Sequence, residues 1–171
     1  MSRIAGSSTE VAIRDFRNRF VPLISTIFGI ALGLLPFVAT IPLVPDLGFL
    51  ALLTWRLLRP EIWTANMALG LGLLNDLVSG NPLGQSMLLW TATFLALDLI
   101  DSRLGFRDYW MDWLIAAGAI IFHTVGAWYI ALLMGSDILI SVIVPQILVG
   151  IFAYPVAARI ILTLDRWRLA R

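Results

Sequence analysis

Apolar residues run through this 171-residue chain in six long blocks, at 20–41, 43–58, 62–79, 82–100, 110–134 and 138–164, with short polar breaks between them. A bilayer core of about 30 Å needs roughly 20 helical residues to cross it, so the pattern predicts six membrane helices joined by short loops. The second block is short for a span and the last is long. The second should therefore sit shallow or meet water at one end, and the last should protrude. Pro22 suits a helix start, whereas Pro36, Pro145 and Pro155 fall inside apolar blocks and predict kinks or local unwinding.

Composition agrees with this class. Hydrophobic residues make up 60% of the chain and charged ones 13%, against about half and a quarter in soluble domains. The fold class expected is an all-α integral membrane protein. Cysteine is absent and His123 is the only histidine, which removes disulfides, thiolate chemistry and a two-histidine zinc site.

The distribution of charge then orients the helices. All 12 basic residues are arginines: Arg3, Arg14, Arg17 and Arg19 precede the first block, Arg56 and Arg59 follow the second, Arg103 and Arg107 follow the fourth, and Arg159, Arg166, Arg168 and Arg171 close the sixth. In a six-span alternation all of them lie on one side, and the positive-inside rule makes that side cytoplasmic, with both termini. Removing or adding a span would scatter them over both faces. Residues 1–19 form an arginine-rich cytoplasmic segment, 20–164 the six-helix domain and 165–171 a basic tail. The first block is long enough to be a retained anchor. The stretch 11–20 interleaves apolar residues with arginines, either as a topogenic flank or as an interfacial helix drawn to anionic lipid.

Within the third block, GLLNDLVSGNPLGQS places Asp76 near the end of a helix otherwise suited to lipid, so its carboxylate should face protein. One reading is a charge relay or ligand contact. The favoured one is structural: its oxygens accept hydrogen bonds from amides of the 80–84 turn or of the start of the fourth helix. Gly80 can end a helix in the left-handed conformation, Asn81-Pro82 starts the next one, and Gly84 permits close backbone approach in its first turn. His123 is expected as a neutral imidazole bonded to a neighbouring helix, in preference to a proton relay. Gln146, beside Pro145, should serve carbonyls freed by that proline. Gly29 and Gly33 form a small-xxx-small pair for helix packing, within the chain or with a partner.

Other polar residues read as surface features. Arg56 and Arg59 should snorkel to the inner interface, with Glu61 near enough to pair. Asp98, Asp101, Asp108 and Asp112 interleave with Arg103 and Arg107, as in a solvated salt-bridged loop. Trp55, Trp63, Trp110, Trp113 and Trp167 fall near the same interface, where such rings anchor helices. Catalytic signatures such as Gly-x-Ser-x-Gly or His-Glu-x-x-His do not occur. No cofactor, metal or nucleic acid is implied.

The segment RPEIWTANMALGLGLLNDLVSGNPLGQSML, 59–88, resembles the signature region of the MreD family, membrane subunits of the bacterial rod-shape machinery. The positions that carry the likeness are Gly72, Leu73, Leu74, Asp76, Ser79, Gly80, Pro82, Leu83 and Gly84. The resemblance implies a non-catalytic, multi-pass protein of the bacterial inner membrane. It would bind MreC and work in the elongation complex with MreB, RodA and an elongation-specific penicillin-binding protein, helping to place peptidoglycan synthesis. The family is also similar in architecture to the substrate-binding subunits of energy-coupling-factor vitamin transporters. That likeness supplies the alternative, a membrane subunit binding a small molecule or lipid.

Overall fold

The computed structural model describes residues 8–35, 43–103 and 108–169. Six helices account for most of them: α1 (Ser8–Leu32), α2 (Leu47–Leu58), α3 (Ala65–Ser79), α4 (Gln85–Arg103), α5 (Tyr109–Leu133) and α6 (Ile140–Leu169), with no strand among the described residues. The expected kink at Pro36 and the role of Arg107 lie outside the described residues. So do most side chains of the stretch 11–20, where Phe16 and Phe20 stack at 4.3 Å.

The short second block forms the centre of the molecule. α1, α3, α4, α5 and α6 follow one another around a ring, each packing on the next, and α6 closes it against α1. α2 lies inside, against α1, α5 and α6, and reaches α4 through the Phe49 and Trp90 rings, 6.0 Å apart. Its 12 residues span only about 18 Å, and from Gly48 to Leu57 all but Ala51 are buried. A helix that is apolar all round needs burial on every side. The chain supplies it with protein, where the block pattern suggested a shallow position or contact with water.

The outer helices behave differently. α5 and α6 have 25 and 30 residues and are long and apolar enough to cross a bilayer, yet only 22% of the apolar window in each is buried within the chain. Their remaining apolar surface faces outward. α6 runs on as one helix through Pro145 and Pro155, so neither proline unwinds it. Pro155 cannot donate to Ile151 four residues back, and the indole Nε1 of Trp113 on α5 donates to that carbonyl instead, at 3.2 Å.

Pro22 also sits inside its helix and not at the start. α1 passes without a break across the expected 19/20 boundary, as α6 does across 164/165. Trp55 and Trp63 are core residues, 0% and 3% exposed, and the Trp55 indole donates to Ser25 Oγ at 2.8 Å. Only Trp110 and Trp167 of the five expected anchors are largely exposed.

Candidate functional site

Polar groups gather at the two ends of the buried helix α2. At its N-terminus the chain leaves an extended stretch at Asp46, whose Oδ1 accepts from Phe49 N–H at 2.9 Å and caps α2. Close to it, α3 ends at Gly80 in the left-handed conformation (φ 69°), a region that glycine enters without steric cost. The chain then passes Asn81-Pro82 and turns through Leu83 and Gly84 into α4.

α4 begins at Gln85, so Pro82 lies outside the helix and does not start it. Gly84 holds the capping position: its carbonyl accepts from Leu88 N–H at 2.9 Å. Its φ of 97° favours glycine, which has no side-chain oxygen to offer the amides of the first turn. Asp76 supplies that oxygen from α3. Its carboxylate, 1% exposed, accepts from Gly84 N–H at 2.9 Å, Ser86 N–H at 2.8 Å and Met87 N–H at 3.4 Å. A negative charge at a helix N-terminus is also favoured by the helix dipole. None of the described residues crowds Gly84, so its role is conformational; the close approach expected there occurs at Gly72. A Cβ on Gly72 would stand 2.7 Å from the backbone N and Cα of Met87.

Asn75 joins the two capped ends. Its Nδ2 donates to Ser86 Oγ at 3.0 Å and to Asp46 Oδ2 at 3.3 Å, and its Oδ1 accepts from Ser79 Oγ at 3.4 Å. His123 on α5 borders the same cluster, stacked on Phe49 at 4.1 Å. Trp90 Nε1 on α4 donates to His123 Nε2 at 3.1 Å, so that nitrogen presents its lone pair and the neutral ring carries its proton on Nδ1. Asp46 Oδ2 lies 3.7 Å from the same Nε2.

Gln146 has a different partner from the one expected. Its Nε2 donates to Val44 O at 3.1 Å, fixing α6 to the segment that leads into α2. Pro145 frees the carbonyl of Ser141 on α6's own axis, whereas an outward-pointing amide meets the next element. Of the glycine pair, Gly29 touches within the chain: a Cβ there would meet Leu47 O at 2.9 Å, where α1 crosses the start of α2. Among the described residues Gly33 would meet only its own helix, at Ile30 O.

The other end of α2 carries the charges. Arg56 does not snorkel: it is 2% exposed and pairs with Asp98, and with Asp101 at 2.8 Å. The i, i+3 spacing on α4 aims both carboxylates at it, so they form a helix-borne clamp and not a solvated loop. Arg59 donates from Nε and Nη2 to Asp165 Oδ2 on α6, at 2.9 and 2.6 Å, with Glu61 at 3.6 Å. The hydrogen bond with Asp165 raises the already high Arg59 pKa, so its charge is permanent. Asp165 also accepts from Arg168 at 2.6 Å.

Asp46, Ser86, Trp90 and Asp165 were not singled out from the sequence. Asp46 carries a readable signal, an aspartate after proline at the start of an apolar run; the others become visible only when helices meet. The arrangement commits the Asp76 carboxylate to backbone amides, and its chemistry is that of a clasp.

A family model described as rod shape-determining protein MreD matches residues 14–164. Neither a curated protein nor a solved structure matches the chain. The family match covers the clasp, the buried α2, all of α5, and α6 as far as residue 164. The chain thus belongs to the MreD family and is a rod shape-determining membrane protein.

Proposed function

We propose that this protein is a non-catalytic six-span scaffold of the bacterial inner membrane that binds MreC and helps position peptidoglycan synthesis. In this reading both termini, including residues 1–19 and 165–171, lie in the cytosol. MreB, RodA and an elongation-specific penicillin-binding protein belong to the wider complex. The observation that carries the reading is the family match over 14–164, within which the Asp76 clasp fixes the α3–α4 turn. The outward apolar faces of α5 and α6 support docking of partner helices in the bilayer. The segregation of arginines to one side of the alternation supports the orientation.

The test is co-purification of MreC from native membranes with the unaltered protein and with Asp76→Ala, thermal unfolding being recorded for both. Losing the carboxylate frees the first-turn amides of α4 and loosens the turn, so MreC recovery should fall. Normal recovery of MreC with the substituted protein, at normal yield and stability, would falsify the role given to the clasp.

A further inference from the structure

A cavity of about 200 Å³ opens between the start of α2 and the facing sides of α5 and α6, lined by Asp46, His123, Thr124, Trp128, Ile143 and Gln146 among others. It is smaller than the roughly 300 Å³ at which pockets for drug-sized ligands begin, and equals about seven waters at ~30 Å³ each. A nucleotide or a lipid-linked sugar does not fit such a space. A group the size of an amino alcohol does.

Its polar groups converge from three helices. Asp46 Oδ1 is committed to capping α2, while Oδ2 receives only the long contact from Asn75. Both donors are neutral. Among the described residues the carboxylates at this end of the bundle are Asp46, Asp76 and Asp137, and the arginines of α2, α4 and α6 lie toward the other end; Asp76 is engaged by α4. The α2 N-terminus offers this carboxylate only a partial positive charge and its donors are neutral, so a partly buried carboxylate here can still take a cation as partner. Gln146 uses its amide nitrogen on Val44 O, which leaves its carbonyl oxygen as a second acceptor, and the Thr124 hydroxyl is a third. His123 is 7% exposed; Nε2 is occupied by Trp90, and Nδ1–H has no hydrogen-bond partner among the described residues. It can donate to an oxygen next to the cation.

We propose that this cavity binds a primary ammonium group with an oxygen close by, carried by a small free amine or by an aminophospholipid headgroup. Three N–H donors match the three acceptors, and an oxygen two carbons away suits His123 Nδ1–H. A metal ion suits the cavity less well. His123 Nε2 is already used, and among the described residues no three acidic, histidine or cysteine side chains are placed to hold a metal ion together. An anion would meet the Asp46 carboxylate. The site is separate from the outward faces of α5 and α6 assigned to partner helices, so it stands or falls independently of MreC binding.

The test uses the full-length purified protein in two arms. In detergent, affinities for ethanolamine and glycerophosphoethanolamine are compared by thermal shift with those for choline and glycerophosphocholine. In nanodiscs, native mass spectrometry compares retained phosphatidylethanolamine with phosphatidylcholine. Trimethylation removes the N–H donors, so the methylated probes should bind about tenfold more weakly or worse. Asp46→Asn keeps a capping oxygen for α2 but removes the charge, and should weaken ammonium binding by about tenfold. Ala127 also lines the cavity, and Ala127→Phe, which fills it without altering a polar group, should abolish binding. Retention of the lipid without the soluble amine assigns the headgroup, and the reverse assigns the free amine. Equal binding of methylated and unmethylated probes, undiminished binding by Asp46→Asn, or no binding in either arm overturns the proposal.

Discussion

Asp76 acts on a helix other than its own. An ordinary N-cap is replaced at Gly84 because the chain needs a positive φ there, and the missing acceptor comes from eight residues upstream. Replacing a capping side chain by alanine costs about 0.5–2 kcal/mol, and a buried amide left without a partner about 1–3 kcal/mol. Since Asp76→Ala strips one buried and two part-buried amides, its cost should lie toward the top of these ranges. Asp76→Asn, with one acceptor oxygen left, should cost less. Thermal unfolding in detergent checks the order. Gly72→Ala should be as damaging by another route. The added Cβ meets backbone of α4 at 2.7 Å, so the helices must separate, whereas Gly70→Ala, with open space around its Cβ, should be neutral or slightly stabilising. Equal melting temperatures for the two glycine variants would contradict the close α3–α4 crossing. The spacing of Asp76 from the turn made an acid over amides legible in sequence. The choice of Gly72 as the point of contact was not, because glycines at 70 and 72 look alike until the facing helix is placed.

At the level of helices, the polar residues of α2 and its neighbours hold the central helix at both ends. Arg56 is nearly fully buried, while the side chains of its partners Asp98 and Asp101 are 52% and 27% exposed. The two halves of this pair therefore differ in what their loss leaves behind. Removing both carboxylates, as in Asp98→Asn with Asp101→Asn, strands a buried guanidinium, a change that costs about 3–5 kcal/mol. Arg56→Met instead leaves two carboxylates that water can reach, and should be milder. Unfolding midpoints that reverse this order would mean that the guanidinium is better hydrated than its burial indicates. The sequence revealed α2 as a short apolar block but not its central place. Burial on all sides and contact with lipid produce the same apolar periodicity, and only the ion partners of Arg56 and Arg59 tell them apart. The same ambiguity misassigned Trp55 and Trp63 to an interface and Gln146 to its own helix. Side-chain reach across helices is not written in the spacing of a single one. Trp113 shows the benefit of such reach: Trp113→Phe should keep the packing but leave Ile151 O unpaired beside Pro155, a loss of about 1–3 kcal/mol measurable as a lower unfolding midpoint.

Across the whole molecule, charge and hydropathy divide the work. Buried pairs between α2, α4 and α6 sit where those helices end, together with the exposed arginines of the same side. The opposite side holds two aspartates used as helix caps and a third in the α5–α6 connection. In the six-span arrangement proposed above, inverting the chain in a membrane would carry its 12 guanidinium groups across it, each costing about 2.5–3.5 kcal/mol at the bilayer centre on insertion scales. The orientation should hence be uniform in all molecules. Because the chain has no cysteine, single cysteines report it without background. Asp137→Cys, exposed in the α5–α6 connection, should react with a membrane-impermeant maleimide added outside spheroplasts. Ser102→Cys, exposed near the end of α4, should react only after the membrane is opened. Labelling of Ser102→Cys from outside would place an arginine-rich loop on the wrong side and remove the support that charge lends to the scaffold assignment. Labelling of both from outside in separate fractions of molecules would instead show mixed orientation, which the one-sided arginines are expected to forbid.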